Sequence, residues 1–546
     1  MAPDHPIAEY RPSPWVRSIE MDRPDTHERS TDGRGDASMD ASGADGSQGH
    51  PELTRRRRLV ILVICSMSLL IVGLDVTIVN VALPAIHRSL GAPVAGLQWT
   101  IDAYTLTIAM LLMLAGSTAD RIGRRKVFLI GLVVFSTGSL LCALAPTLNL
   151  LIAARVLQGI GGSMLNPVAM SIIRNVFDDP RERAQAIGVW GGMIGLSMAL
   201  GPIVGGALVD TLGWRWVFLV NVPVGLLAVT LTTLFVPESR APRPRRLDPV
   251  GQALVIVALA SLTYAIIEGG RVGFTSPGII GLFCLSLVSF VLLVFYELHR
   301  REPLLEMRFF KSVPFSGASA IAVCAFAAQG GFLFLNTLYL QEVRGLSPFD
   351  AGLYVLPMAA MTLVFAPLTG RFIGRHGTRI PLVVAGTALT IAAIMLTRIT
   401  ADSTPAYVLG AYFVFGFGFG IVNPPITNTA VSGMPPSQAG VAAAVASTSR
   451  QVGNTLGVAV LGAVAGAGIS GDIGASFAAA THASWWIVAG LSFAIVILGL
   501  ATTTRWAHQT AVDTANRFRE DGPQPEGQPQ GEAVPARRET SQPTPA

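Results

Sequence analysis

The 546-residue chain is 51% hydrophobic and 13% charged, with a formal net charge of +5. Soluble domains carry about 25% charged residues, so this composition excludes an ordinary soluble globular protein and indicates a membrane protein. The basic excess does not indicate nucleic-acid binding, because the arginines lie in short loops between apolar segments. The 4 cysteines show no C-x-x-C spacing, so neither a disulfide framework nor a metal site is predicted.

The chain begins with a polar segment, residues 1–54, whose Asp, Gly, Ser and Pro content predicts a disordered tail rather than a signal peptide. Beyond it, apolar segments of about 20 residues recur, and each can cross a bilayer as a helix. We predict about fourteen transmembrane helices, near 59–84, 98–118, 126–146, 148–170, 183–208, 215–236, 249–268, 278–297, 315–340, 350–373, 380–398, 405–427, 438–468 and 484–504. A second disordered tail is predicted over 507–546.

Basic residues cluster in alternate loops, as in 121–126, 240–246 and 371–379. We call the side of the membrane that these loops share the arginine-rich side. The positive-inside rule predicts that this side is cytoplasmic, so that both tails lie in the cytoplasm of a protein of the plasma (inner) membrane.

A weak internal repeat relates the two halves of the chain. DRIGRRK at 120–126 is matched by RFIGRHG at 371–377, an offset of 374 − 123 = 251 residues. This offset places the first predicted helix beside the ninth and relates six helices to six, an organisation typical of transporters. We therefore predict an all-α membrane protein with two six-helix bundles, at 55–236 and 313–506, and two extra helices with their linkers at 237–312.

Several motifs carry a family resemblance. GSTADRIGRRKV at 116–127 resembles the cytoplasmic loop signature of the major facilitator superfamily, and RVLQGIGGSMLNP at 155–167 resembles its fourth-helix motif. ALGPIVGGAL at 199–208 resembles the fifth-helix motif of its antiporters. Four further segments resemble the fourteen-helix drug:proton antiporter branch: LDVTIVNVALP at 74–84, WTIDAY at 99–104, WRWVFLVNVPVG at 214–225 and RQVGNTLGVAVLG at 450–462. The resemblance covers roughly 55–505 and implies the family fold and proton-driven export of amphipathic drugs or metabolites.

Two of these motifs predict conformational elements. The loop signature is expected to form a latch in which Asp120 pairs with Arg124 or faces a neighbouring helix N-terminus; a loop that only sets topology is the alternative. The predicted latch residues are Gly116, Asp120, Arg121, Gly123, Arg124 and Arg125. In the fifth helix, a bend and close helix packing are expected at the antiporter-motif residues Gly201, Pro202, Gly205 and Gly206. The sequence departs from the family pattern at Ser197, usually glycine, and at Arg371, which replaces the acid matching Asp120.

Three ionisable residues inside apolar segments are candidates for proton coupling: Asp75, Asp102 and Arg155. At the helical rise, Asp75 lies about 24 Å from the arginine-rich end of the first helix, and Arg155 about 10 Å from the opposite end of the fourth. The implied fold brings these two helices to the cavity, so the pair is expected to meet. A carboxylate that alternates between an arginine and substrate would bind and release a proton; a static buried ion pair is the alternative.

The predicted substrate-cavity residues are Gln158, Arg450, Asn454, Gln329 and Asn336. Arg450 lies about 18 Å into its helix at the helical rise, and no acid lies at a comparable depth in the last six helices. Two deep acids against two deep bases predict a preference for neutral, zwitterionic or monocationic amphiphiles. Arg450 would then be available to an acidic group of the substrate, or else be tied to backbone carbonyls.

We predict a proton-coupled secondary active exporter that carries small amphipathic substrates across the lipid bilayer and works as a monomer without a cofactor. Direct ATP drive is not expected, because no GxxxxGK[ST] pattern occurs. An enzyme is not expected either, since no nucleophile–base or metal-ligand cluster is visible. An uptake permease and a non-transporting membrane sensor or scaffold are the alternatives.

Overall fold

The computed structural model describes residues 54–241, 246–300, 302–432, 434, 439–468 and 475–520. The predicted N-terminal tail lies outside the described residues except for Thr54, whose hydroxyl accepts a hydrogen bond from the Arg57 amide at the start of the first helix.

The N-terminal half consists of helices that run up and down between short connections. These are α1 (Arg55–Leu90), α2 (Val94–Ile122), α3 (Arg124–Leu144), α4 (Leu148–Val176), α5 (Pro180–Leu212), α6 (Trp216–Leu219) and α7 (Asn221–Phe235). The boundaries follow local chemistry. At α5, for example, the Asp179 carboxylate accepts hydrogen bonds from the amides of Arg181 and Glu182, and Pro180 supplies the first helical residue.

Two helices join the halves, α8 (Pro249–Val272) and α9 (Pro277–His299), followed by a 3-10 turn at Met307–Lys311. The C-terminal half then contains α10 (Val313–Leu338), which continues into a π-helical turn at Tyr339–Val343, α11 (Pro348–His376), α12 (Arg379–Leu396), α13 (Pro405–Val431), α14 (Ala439–Ala467), α15 (Ala475–Ala480), α16 (His482–Thr502) and α17 (Arg505–Glu520).

Thirteen helices of the described ranges are long and apolar enough to cross a membrane, with α6 and α7 together forming one of them. The all-α membrane fold is therefore confirmed. The remaining long helix, α14, has 29 residues but carries Arg450, Gln451 and Asn454, which lower its hydropathy. The predicted total of fourteen spans stays a prediction.

The polar segment after the last span differs from expectation. Residues 507–520 were predicted to belong to a disordered tail, but they form most of helix α17. Ala507, Ala511 and Thr514 are buried along one face of this helix, and Phe518 packs on Phe309 with a ring-centroid distance of 5.2 Å. The prediction was wrong here because a helix with a polar outer face has the low mean hydropathy of a tail. Residues 521–546 lie outside the described part of the chain.

The same pattern of helix contacts occurs twice. In the N-terminal half α1 packs on α5, α2 on α4 and α3 on α7; in the C-terminal half α10 packs on α14, α11 on α13 and α12 on α16. The halves meet along two seams, α2 with α14 and α5 with α11, which are equivalent positions in this repeat. Helix α8 packs across the α2–α14 seam, and α9 packs on α8.

Candidate transport site

The acid in the first transmembrane helix lies at the centre of a buried polar network. Asp75 and Arg155 are both fully buried, and a guanidinium nitrogen of Arg155 lies 2.5 Å from Asp75 Oδ2. Gln158 bridges the pair: its Nε2 donates to Asp75 Oδ1 at 2.7 Å, and its Oε1 accepts from Arg155 at 2.7 Å. An ion pair without water needs such additional bonds to offset its desolvation.

Three further groups complete this network, and sequence reasoning missed all of them. Asn221 Nδ2, at the start of α7, donates to Asp75 Oδ1 at 3.1 Å. The Ser139 hydroxyl accepts from Gln158 Nε2 at 2.7 Å, and the Thr100 carbonyl accepts from Arg155 Nε at 2.8 Å. Asn221 stands in the NVPVG segment quoted above, so an amide at the start of an apolar helix was the available signal.

Aromatic rings cover the arginine of the network. The Arg155 guanidinium carbon lies 4.2 Å from the centroid of the Tyr104 ring and 5.7 Å from that of Phe218. Stacking on aromatic faces stabilises a guanidinium that has lost its water. Six helices, α1 to α4, α6 and α7, therefore fix the position of one ion pair.

A cavity of 1400 Å³ lies between the two halves. It reaches the helix ends of the arginine-rich side, where Asp120, Arg124, Arg174 and Arg308 line it. Its volume exceeds the roughly 300–1,000 Å³ of ordinary small-molecule sites. The structure is thus open toward the arginine-rich side.

Direct contacts between the halves close the opposite side. Gln98 Nε2 of α2 donates to the Val458 and Ala459 carbonyls of α14 at 3.0 and 2.8 Å. Gln341 Nε2 donates to the Val81 carbonyl at 2.9 Å. A buried apolar cluster that includes Ile78, Phe332 and Leu461 surrounds these bonds.

The predicted site residues divide into distinct groups. Gln329, Arg450 and Asn454 line the cavity, as do Gly116, Asp120 and Arg124. Gln158 and Asn336, predicted for the cavity, lie elsewhere: Gln158 belongs to the Asp75 network, and the side-chain Oδ1 of Asn336 accepts a bond of 2.6 Å from the Tyr412 hydroxyl. The structure thus brings Asp75 and Arg155 together on a face of α1 that is turned away from the cavity.

The chain matches the family model of the "Major Facilitator Superfamily" over residues 65–458. The chain belongs to this superfamily. It is 37% identical over 418 residues to a "Multidrug resistance protein Stp" of Mycobacterium tuberculosis, covering 77% of this chain and 78% of that protein. It is 36% identical over 426 residues to a "Methylenomycin A resistance protein" of Streptomyces coelicolor, covering 77% and 88%.

A solved structure shows the same fold. The "auto inhibited POT family peptide transporter" aligns with a TM-score of 0.62 and 17% identity, over 82% of this chain and 97% of that one. The similarities indicate a multi-pass cell-membrane transporter of the major facilitator superfamily rather than an enzyme.

The antiporter-motif residues of this superfamily member lie where helices approach most closely on the closed side. A Cβ atom on Gly201 would lie 1.9 Å from Thr77 Oγ1 of α1, and one on Gly205 would lie 2.7 Å from Ile78 Cγ1. A Cβ atom on Gly206 would lie 2.5 Å from the Pro348 carbonyl oxygen of α11. Helix α5 therefore packs on its own half through two glycines and on the other half through the third.

Asp102 lies on the face of α2 that meets α14. It is fully buried, and its Oδ1 is 3.4 Å from the Thr105 hydroxyl, while its Oδ2 has no hydrogen-bond partner among the described residues. Thr105 in turn accepts a 3.0 Å bond from Thr455 of α14. The structure therefore separates Asp102 from the Asp75 network and places it at a seam between the halves.

The superfamily loop signature is contacted by an acid from outside the motif, Glu238, which the motif did not predict. Arg124 is 3.0 Å from Asp120, as expected. In addition, Glu238 Oε1 accepts from the Arg125 amide at 3.1 Å, and the Arg124 amide donates to the Ser239 carbonyl at 2.9 Å. Gly123 has a φ of +129° and faces the Glu238 carboxylate, where a side chain would be strained and would clash. The segment after α7 thus fixes the start of α3, while Arg121 is exposed.

Proposed function

We propose that this protein exports amphipathic small molecules from the cell in exchange for protons, and that Asp75 carries a coupled proton. The proposal agrees with the printed names of its relatives, which are resistance proteins. We further propose that the arginine-rich side is cytoplasmic and that one chain suffices, without a cofactor.

The observation that carries the coupling proposal is the position of Asp75 on α1. Gly73, Val76 and Thr77 of this helix line the cavity, while the Asp75 side chain is bonded to α4 and α7 behind it. We propose that the movement of α1 that closes the cavity also moves Asp75 relative to Arg155. Once separated from the arginine, a buried carboxylate is stabilised by taking up a proton.

The direction of this exchange follows from charge compensation. When the cavity is open to the arginine-rich side, Arg155 neutralises Asp75, so that the carboxylate needs no proton. In the opposite state, separation from Arg155 would favour the protonated form of Asp75, and the proton would come from outside. Protons consequently enter as substrate leaves. Asp102 stays a second candidate for proton binding.

The test uses everted membrane vesicles that contain the full chain, a fluorescent amphipathic dye and a pH indicator. A proton gradient, acidic inside, should drive dye accumulation, and a protonophore should abolish it. Adding dye to energised vesicles should release protons. Asp75→Asn should remove that release, whereas Asp402→Asn, at an exposed turn, should leave it unchanged.

Two outcomes would contradict the proposal. Accumulation that depends on ATP but not on the proton gradient would exclude proton coupling. Gradient-driven movement in the opposite direction would identify an uptake permease instead.

A further inference from the structure

The ionisable residues that line the cavity are unevenly distributed. Five arginines and four acids line it: Arg124, Arg174, Arg246, Arg308 and Arg450 against Asp120, Asp248, Glu302 and Glu306. All four acids lie at or beyond helix ends of the arginine-rich side. Among the described residues, no carboxylate lines the cavity beyond this mouth, since Asp75 and Asp102 are absent from its wall.

The acids at the mouth already have donors within the protein. Asp120 pairs with Arg124 at 3.0 Å, and Glu306 with Arg308 at 2.8 Å. Asp248 lies 3.3 Å from Arg300, and Glu302 accepts a bond from the Arg246 amide at 2.9 Å. These carboxylates therefore do not provide the cavity with free negative charge for a cationic substrate.

Arg450 lies farther from a helix end than any other arginine of the cavity wall, eleven residues after the start of α14. It donates to the Thr427 hydroxyl, and its guanidinium carbon lies 5.9 Å from the centroid of the Phe326 ring. Its Nε is buried without a hydrogen-bond partner, and no carboxylate of the described ranges pairs with it. A guanidinium has five N–H donors, so most of its capacity is unused.

The surroundings of Arg450 combine amides with apolar surface. Asn454 and Gln329 are buried at the same wall of the cavity, and Phe419 and Met198 add apolar area. An unpaired charge at this depth is unfavourable unless an anion compensates it. A carboxylate matches a guanidinium in shape and can accept two parallel bonds from it. The site thus suits a molecule with an acidic group and an apolar body.

We propose that Arg450 binds the carboxylate of an amphipathic substrate, so that this transporter prefers acidic amphiphiles over their neutral or cationic counterparts. The inference rests on the proposed export function, whose cavity it uses. It replaces the sequence-based preference for neutral, zwitterionic or monocationic amphiphiles, because Asp75 and Asp102 do not line the cavity and cannot offset Arg450 there. Cationic amphiphiles are disfavoured because a molecule whose apolar body lies against this wall would bring its positive charge close to the Arg450 guanidinium.

The experiment measures equilibrium binding of two matched fluorescent probes, 1-pyrenebutyrate and 1-pyrenebutyramide, to the full chain in lipid nanodiscs without a proton gradient. The wild type should bind the acid about tenfold more tightly than the amide, as expected for one charge-assisted contact. Arg450→Gln should reduce this ratio to about one, mainly by lowering the affinity for 1-pyrenebutyrate. Arg450→Lys should retain part of the ratio, because a lysine keeps the charge without the planar fork.

Arg371→Gln is the matched control, since Arg371 is an exposed arginine at the arginine-rich end of α11. It should leave the ratio unchanged. Equal affinity of the wild type for both probes, no measurable binding of the acid, or an unchanged ratio in Arg450→Gln would overturn the inference. If the ratio behaves as expected while vesicles show no proton-driven export, the proposed function fails and the binding site stands.

Discussion

The two halves repeat one arrangement of helices but differ in what they bury. The N-terminal half encloses a complete ion pair, Asp75 with Arg155, and isolates it from the cavity. The C-terminal half instead packs aromatic rings between α10 and α13, where the Phe332 and Phe415 rings stack with centroids 4.1 Å apart, and its Arg450 lines the cavity. A repeated scaffold can therefore separate the two tasks of a coupled transporter, with proton binding in one half and substrate binding in the other.

The largest effect is expected from breaking the N-terminal pair. Arg155→Gln leaves Asp75 buried without a cation, which costs about 3–5 kcal/mol of stability. The melting temperature of the purified protein measures this loss. Arg271→Gln, which removes an exposed ion pair with Glu268, should change it little.

A double variant separates stability from coupling in that half. Asp75→Asn combined with Arg155→Gln should recover much of the melting temperature, because no charge remains buried, but should not recover proton release. Equal losses in the Arg155 and Arg271 variants would mean that the ion pair has no special place in the N-terminal half.

The next largest effect concerns the seams, which are equivalent in the repeat but not in detail. Gly206→Ala places a methyl group 2.5 Å from the Pro348 backbone, whereas Gly462→Ala places one 2.5 Å from the end of the Gln98 side chain. Overpacking costs about 1–3 kcal/mol. Because a side-chain end shifts more easily than backbone, Gly206→Ala should lower transport more than Gly462→Ala.

Gly490→Ala is the control for these seam variants, because no neighbouring atom lies within 4 Å of its added methyl group and Gly490 does not line the cavity. Rates of dye accumulation at equal protein level decide the order. A Gly462 variant as impaired as the Gly206 variant would show that both seams tolerate extra volume equally poorly.

A smaller effect is expected at the loop signature, which only the N-terminal half reinforces with Glu238. Glu238→Gln weakens bonds to the Arg125 and Ser239 amides. Because this half-buried carboxylate accepts charge-assisted bonds, we expect a loss of about 1 kcal/mol. Hydrogen exchange at the start of α3 should rise, while the start of α12 stays unchanged; exchange that rises equally at both sites would argue against a local role.

The smallest effect is expected in the C-terminal half. Tyr412→Phe removes the bond to Asn336 but retains the ring that packs 4.9 Å from Phe332. One neutral hydrogen bond contributes about 0.5–1.5 kcal/mol, so the melting temperature should fall slightly and proton release should persist. Loss of proton release here would place coupling groups in both halves.

Sequence could predict the helices, because hydropathy marks each span. The meeting of Asp75 with Arg155 could be predicted only together with the fold that the family resemblance implies, because the helical rise gives depth but not which helices are neighbours. Sequence could not tell which way a side chain faces. Gln158 lies three residues after Arg155 on the same helical face and therefore follows it into the network rather than into the cavity. Gln329 and Asn336 share one face of α10, but only Gln329 lines the cavity.

Contacts between residues far apart in the sequence could not be predicted either. Asn221 and Glu238 act through contacts that span 146 and 113 residues of sequence. Helix α17 could have been predicted, since its inward-facing positions 507, 511, 514 and 518 follow a helical spacing. Its low mean hydropathy, however, is that of a polar tail.

The two helices between the halves, α8 and α9, cover one of the two seams and leave the other without such a cover among the described helices. Helix α8 packs across the α2–α14 seam, where Trp99 contacts Tyr264 at 5.7 Å, and α9 adds an outer layer with many lipid-exposed side chains. The α5–α11 seam has no such cover among the described helices. A compound dissolved in the bilayer would therefore meet two additional helices at the α2–α14 seam and a single helix layer at the α5–α11 seam. Lateral entry from the lipid would thus be easier at the α5–α11 seam.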